Sequence, residues 1–573
     1  MQVELYAKRG VSLTFLETAT FVTGMTALDF VFPLSDVARQ MLLGNDVILA
    51  RVKGSARLFN IELLVGMLTP VTSGLPVAVR TPFNLTQARA NWTTVNVTSS
   101  TELQAALLNA APQTLIKPPI GVLGGSWGNT TLTWPGVDHV YIDAYDSIFS
   151  SSGSQRLFIF QGTTGANNGI LLNIDDWADS GTNRAILLFD GFSGKSIDDP
   201  FRITGSRFEN IGILETGEAI IDLRGSSKYI YLDHSEAENI HRMCLRLFLS
   251  TNETPPALVT YWDSNAWETR LPNASEMDFD EGLWGSAYDC GIAHCTFSNT
   301  TSEVDSVFQL QPGNDFARGS EYINCRTKIL YNRFINWKDT GTTQTKSSGN
   351  EIGFFEMVNC DGGIYQRGGN NNHWHNGYFH GTNQKSFINP NTGDGHVYED
   401  FVFHSSLNTS NPANARVDRW GDRPNNTTRI QLSNGTYRRL TFFAEYDATA
   451  GATFRIGEKH TGGNANLDTN ADHADLTVAK QEAVKGIVLE DLSFVATNQQ
   501  AFRYEEQNYG SFTFPDANEV TMSGTKVWVS GTGSVGNVAD LDPNFELNVG
   551  SPPDHTVVGP VAMTSFTAGK QVL

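Results

Sequence analysis

Lys346, in TKSSGN, and Arg367, in YQRGGN, stand 21 residues apart. A cation beside a lysine disfavours the ammonium form, and a lysine perturbed in that way can accept a proton near neutral pH. The pair therefore reads as a proton-accepting lysine with a cation beside it, provided that the fold sets residues 21 apart side by side. Four apolar residues, each closing a short strand-like run, supply such a fold: Phe334 (YNRF), Met357 (FFEM), Phe379 (NGYF) and Phe403 (DFVF), in steps of 23, 22 and 24 residues. That period belongs to a solenoid whose coils are built of short strands. Coils stacked at about 4.8 Å would place Lys346 and Arg367 on neighbouring backbones.

The remaining sequence agrees with a solenoid. From about residue 113 to 545 short β-runs dominate, among them HVYIDAY, AILLFDG, KYIYLDHSEAENI, IAHCTFSN and KGIVLEDLSFVAT. Runs such as IVLEDLSF alternate between an interior and an exterior face. Asn and Gly between the runs suit the left-handed backbone that tight corners need. Before them, VNVTSSTELQAALLNAAP has Ser99 and Glu102 at capping-box spacing, with Leu103, Leu107 and Ala110 on one helical face and Pro112 as the stop. A short amphipathic helix there would close the open end of the first coil. The expected fold is all-β: a right-handed parallel β-helix over residues 91–545, capped by that helix and carrying inserted loops at 251–284 and 405–435. Residues 1–90 lack the period and read as a small β-rich module for attachment, and 546–573 read as a tail.

Composition narrows the partners. The 573 residues include 61 acidic and 40 basic side chains, a net charge of −21, which argues against nucleic acid. An anionic polymer remains compatible, because Arg326, Lys328, Arg333, Lys338 and Lys346 form a local basic stretch with Arg367 and Lys385 close behind. Five cysteines without CxxC spacing point to buried free thiols. No uncharged run is long enough for a membrane span, and Glu17 and Asp29 interrupt the N-terminal apolar run, so a secretory signal is not expected.

Several side chains near the pair admit two readings. His373 and His375 in one strand would point to the same side, a sugar-contacting arrangement, a metal-ligand arrangement or plain surface. Tyr365 and Tyr378 suit sugar stacking or phenolic proton donation as well as ordinary packing. Asn350 and Asn376 fit turns and stacking hydrogen bonds better than substrate contact. The acidic groups Glu276, Asp278, Asp280 and Glu281, and Asp175 with Asp176, would serve glycoside hydrolysis or form acidic loops.

The stretch TKSSGNEIGFFEMVNCDGGIYQRGGNNNHWHNGYFHG resembles the core of the family six polysaccharide lyases, the group that includes chondroitinase B and alginate lyases. VTSSTELQAALLNAAP resembles that family's first helix and GDGHVYEDFVF its next coil; the likeness does not reach residues 1–90. The resemblance implies a parallel β-helix that cleaves uronate-containing polysaccharides by β-elimination, with Lys346 as base and Arg367 as acid or charge stabiliser. Two departures stand out. Calcium-using members carry two acids shortly before the lysine, whereas WKDTGTTQT offers only Asp339. Calcium thus lacks its acidic pair here, and neutralising the uronate carboxylate would fall to Arg367, Gln344 or Lys338. The family's Arg-His-Gly is Arg367-Gly368-Gly369, which leaves His373, His375 or His380 to replace the histidine contact. The companion reading is a glycan-binding viral tail spike, extracellular or in the virion, with a homotrimer and other tail proteins as its expected partners.

Overall fold

The structure, a computed structural model, describes residues 2–9, 12–20, 47–53, 75–153, 155–177, 185–211, 219–224, 227–240, 243–247, 287–299, 307–310, 325–337, 343–345, 347–366, 371–382, 388–390, 393–407, 415–417, 432–444, 452–456, 484–504, 507–509, 512–514 and 520–553. Two compact units divide between Leu75 and Pro76, earlier than the boundary near residue 90 that composition suggested. The first contains an antiparallel three-stranded sheet with Gln2–Arg9 between Ser12–Thr20 and Val47–Lys53.

The second unit is a parallel β-helix. Its coils contribute strands to three main faces, termed A, B and C in chain order, and three later coils add a short fourth sheet of Gly393–Asp394, Leu432–Ser433 and Val484–Lys485. On face A, Lys328–Leu330 pairs with Glu351–Gly353, then His373–His375, then Val397–Glu399, all parallel and in register. Face B continues through Arg333–Ile335, the second half of Glu351–Val358, the second half of His373–Thr382 and Val402–Leu407. Face C is a 13-stranded sheet running from Thr130–Pro135 to Ser534–Gly536.

The repeat read from sequence is the inward row of face B. Phe334 pairs with Met357, Met357 with Phe379, and Phe379 with Phe403, all fully buried. The row goes on through Phe442 and Phe494, with near-parallel rings 4.6 Å apart for Phe403–Phe442 and 5.2 Å for Phe442–Phe494. Each such ring removed from water stabilises by roughly 1.5–3 kcal/mol, so a fixed coil length follows from the need to put an apolar ring inward at the same place each time. All five cysteines are buried free thiols.

From Gly205 onward, the corner between faces A and B turns on one left-handed residue in each described coil. The residues there include Gly205, His234, His294, Tyr331, Phe354, Asn376, Asp400 and Arg439, with φ between 47° and 62°. Bulky side chains in that backbone region cost roughly 1–2 kcal/mol each. Here they stack coil on coil: His234 on His294 (4.6 Å), His294 on Tyr331 (5.0 Å), Tyr331 on Phe354 (4.7 Å). Coil-to-coil ring contact offsets the backbone cost at corners that Asn and Gly would suit without it.

Two short helices attend the first coils. In Ser100–Leu108, Ser99 Oγ accepts from the Glu102 N–H (3.2 Å), and Leu103 and Leu107 enter the main core. In Leu85–Asn91, Asn84 Oδ1 accepts from the Gln87 N–H (2.9 Å). This second helix and its flanks lie over the outer side of face A: Phe83 stacks on Tyr141 (3.8 Å), Leu85 and Ala88 join Leu115 and Leu171 in a separate apolar cluster, and Arg89 pairs with Asp143 and Asp146 (both 2.7 Å).

Candidate functional site

Face C sets the frame for the pair that opened the sequence reading. Thr343, Gln344 and Thr345 pair in parallel with Ile364, Tyr365 and Gln366, which pair in turn with Ile388, Asn389 and Pro390. The Thr345 hydroxyl donates to Gln366 Oε1 (2.6 Å), both groups fully buried. Lys346 and Arg367, the next residues after Thr345 and Gln366, lie outside the described residues, as do Lys385, Lys338 and the acidic group at 276–281.

From Ser347 onward, buried side-chain hydrogen bonds hold the chain. Asn350 Nδ2 donates to the Ser347 carbonyl (3.1 Å), Ser347 Oγ (2.9 Å) and Asn372 Oδ1 (2.9 Å), while its own Oδ1 accepts from the Thr327 N–H (3.1 Å). Asn372 Nδ2 donates to the same Ser347 carbonyl (2.9 Å), and the Asn372 N–H donates to His396 Nδ1 (3.3 Å). Ser347, Asn350, Asn372 and His396 are all buried. Buried amides of this kind must be paired to be tolerated, and pairing them ties the turn from face C to face A across three coils. Asn350 thus makes structural bonds, whereas Asn376 supplies a corner and accepts from His375 Nδ1 (2.8 Å).

The candidate substrate contacts do not share one surface. His373 and His375 project from face A, with ring centroids 4.5 Å apart. His373 Nε2 donates to Glu399 Oε1 (2.6 Å), and His375 Nε2 lies 3.4 Å from Glu351 Oε1. Gly353, the register partner of His375, leaves the room its imidazole fills; a Cβ there would fall within the ring's van der Waals contact. Glu399 also receives Arg438 Nε and Arg439 (2.6 Å), and Lys328 reaches Glu351 (3.8 Å). Burial works to raise both carboxyls, but the His375 hydrogen bond and Lys328 hold Glu351 below the usual range, and His373 and Arg438 hold Glu399 well below it.

Beyond the Asn376 corner, Tyr378 and His380 belong to face B. Their rings stack at 4.5 Å, His380 Nε2 donates to Glu356 Oε1 (2.7 Å), and Arg333 pairs with Glu356 (2.6 Å). Burial, reinforced by Glu356, pushes the Tyr378 phenol up, which makes it a poorer proton donor. Gln344 and Tyr365 are register partners on face C. Arg326 is engaged by both oxygens of Asp289 (2.8 and 2.6 Å) and lies over the Tyr288 ring. The described candidates therefore fall on different faces, because the continuous run HWHNGYFH turns a corner at Asn376.

Sequence reasoning missed Glu351, Glu399, Arg438 and Arg439. The signal was present: Glu351 lies 22 residues before His373 and Glu399 lies 24 after His375, the same steps as the apolar repeat. Among the described residues no group of three or more His, Cys, Asp or Glu is arranged to hold a metal ion.

The architecture is that of a parallel β-helix with polar ladders outside and aromatic rows within. No protein-family model matches the chain, and a search of curated proteins finds no match. Among solved structures, the chain is similar in fold to the PL6 family alginate lyase AlyGC, at 12% identity and TM-score 0.52, over 84% of this chain and 57% of that one. It also matches a mannuronic acid specific family 6 polysaccharide lyase from human gut microbiota, at 12% identity and TM-score 0.45, over 81% of this chain and 92% of the other.

Proposed function

We propose that this chain is a polysaccharide lyase that cleaves a uronic-acid-containing polymer, alginate-like or glycosaminoglycan-like, by β-elimination. The observation that carries the reading is the register of face C: Thr345 and Gln366 are partners on adjacent coils, and each is followed at once by the cationic residue of the pair. Lys346 takes the C5 proton, the C4–C5 double bond forms, and the C4–O4 bond breaks. Arg367 neutralises the charge that develops on the uronate carboxylate or protonates the departing O4. The residue types fit, because the C5 proton is acidic only when its neighbouring carboxylate is neutralised and a base lies within reach. The fold shared with AlyGC supports the reading at the level of architecture.

The test is incubation with a panel of acidic polysaccharides while following the ultraviolet absorbance of unsaturated uronate ends. The expected result is a rising signal on at least one polymer, abolished in Lys346→Ala. Full activity in that variant would remove Lys346 from the chemistry. Polymer bound with its chain length unchanged would replace catalysis with glycan binding, and saturated products without absorbance would indicate hydrolysis.

A further inference from the structure

The inward row of face C changes character where the proposed pair begins. Each of the first six strands of that sheet places an apolar residue at one register position, from Leu132 to Leu310. The next two strands place Thr345 and Gln366 there, and Pro390 follows. These two polar residues are the ones directly before Lys346 and Arg367. A buried amide costs stability where a leucine would fill the space, unless its polar atoms are paired. Gln366 is paired to Thr345 twice: its Oε1 accepts from the Thr345 hydroxyl (2.6 Å), and its Nε2 donates to the Thr345 carbonyl (3.5 Å). The Trp374 indole N–H also donates to Oε1 (3.4 Å), which fastens the amide to the inward side of face A.

We propose that Gln366 is a positioning residue for the elimination, fixing from inside the solenoid the peptide group that carries Lys346. The inference rests on the lyase reading for the reaction it serves. The Thr345 carbonyl lies in the same rigid plane as the Lys346 nitrogen and Cα. Holding that carbonyl and the Thr345 hydroxyl therefore sets the direction in which the lysine leaves the wall. Beyond Lys346, the Ser347 carbonyl is held by the Asn350 and Asn372 amides, so the lysine stands between two anchored residues. Gln366 is also the chain neighbour of Arg367, and one amide thus couples both members of the pair across adjacent coils. A leucine at 366 would fill the space without gripping the Thr345 carbonyl. A slip of the coils by one residue would strand the amide among apolar groups, so the pairing also penalises the wrong register. Reaction geometry rewards such control, since a misplacement of about 1 Å can cost about 100-fold in rate.

Two measurements on the full chain test this. In the first, turnover of the acidic polysaccharide with the largest absorbance gain is compared among the parent, Gln366→Met, Thr345→Val and Thr345→Ser. Methionine is an unbranched apolar stand-in for glutamine, and valine matches the shape of threonine without its hydroxyl. The expected result is a kcat lower by about 10- to 100-fold in Gln366→Met and Thr345→Val, with KM little changed. Thr345→Ser, which returns the hydroxyl and gives up the methyl, should recover most of the loss, whereas a role in packing alone would make serine worse than valine. In the second, Lys346→Cys and Arg367→Cys are combined, and disulfide formation under mild oxidation is timed with and without Gln366→Met or Thr345→Val. Adjacent coils about 4.8 Å apart are within disulfide reach, and the five native thiols are buried and stay out of the reaction. Cross-linking is expected to slow about ten-fold in either background, the worth of about one lost hydrogen bond. Near-ultraviolet circular dichroism checks each fold, and if Gln366→Met does not fold, the two Thr345 variants decide. Parental kcat in the folded Gln366→Met or Thr345→Val chain, serine worse than valine, or an unaltered cross-linking rate would overturn the proposal. Failure of the lyase reading registers separately, as no absorbance gain from the unsubstituted chain on any polymer, and the cross-linking rates then test the positioning by themselves.

Discussion

Face A treats its outward positions in two ways along the solenoid. In the first coils, Tyr141, Asp143, Arg202, Tyr231 and Asp233 are at most 3% exposed, and residues from the 76–92 segment contact this region: Phe83 on Tyr141, Arg89 on Asp143, and the Thr81 carbonyl accepting from Arg202 (2.8 Å). From Lys328 onward the same positions hold a ladder of similar chemistry in which Lys328, His373 and Arg438 reach water while His375 and Glu399 stay buried. The difference teaches that Arg–carboxylate pairing on one face serves two ends. Under cover, where dielectric is low, every partner must be present; in the open, screening lowers the worth of each pair and leaves its charge available to a ligand.

The largest effect should come from breaking the covered pair. Arg202 donates twice to Asp233 (2.8 and 2.5 Å), and Thr204 and His234 complete the carboxylate's partners. Arg202→Ala is expected to cost about 3–5 kcal/mol by urea denaturation, since it strands a buried charge. Replacing both partners with apolar residues should recover most of the loss. Burial alone would raise the Asp233 carboxyl, but the Arg202 charge and hydrogen bonds push it down to about 2. Its folded value lies below the unfolded value of about 3.9, so its contribution is full above about pH 4 and is lost as pH falls toward 2. An Arg202→Ala chain as stable as its parent at neutral pH would erase the contrast between the two halves.

A second effect follows from the corner stack that runs beneath both halves. Burial foremost, then the neighbouring His234, pushes His294 down to about 4. An unfolded histidine binds its proton near pH 6.5, so between about 6.5 and 4 the unfolded chain holds a proton that the folded one refuses. Stability should therefore fall as pH drops through that window, by on the order of 2 kcal/mol at pH 4.5. His294→Asn, which accepts the left-handed backbone, should remove this part of the acid sensitivity. Urea midpoints at pH 7 and pH 4.5 in parent and variant decide the matter, and parallel losses in the two would assign the sensitivity elsewhere.

The solenoid was legible because burial imposes period: Phe334, Met357, Phe379 and Phe403 had to recur at coil length to face inward, and their spacing is plain in the sequence. The identity of corner residues was not legible, because local preference favours Asn or Gly while stacking between coils favours His234, His294, Tyr331 and Phe354. The 76–92 cover escaped notice because a segment that packs on the outside of a solenoid has no reason to share its period. For the candidate site, proximity in sequence is not proximity on the surface. His373 and Tyr378 stand five positions apart, yet the left-handed Asn376 sends them to different faces, whereas Glu351 and His373, 22 apart, are register neighbours. Applying the apolar period to the polar residues would have recovered Glu351 and Glu399.

The smallest effect probes the open half itself. Glu399 gathers His373, Arg438 and Arg439, and on the count of its bonds it looks like the counterpart of Asp233. Its partners, however, are more than a third exposed, so their attraction is discounted by water and salt. Glu399→Gln, which keeps an acceptor in place, is expected to cost about 1 kcal/mol or less in urea, and the difference from the parent should shrink further at about 1 M salt. A stability loss as large as that of Arg202→Ala would mean that the downstream ladder is sealed from solvent like the upstream one.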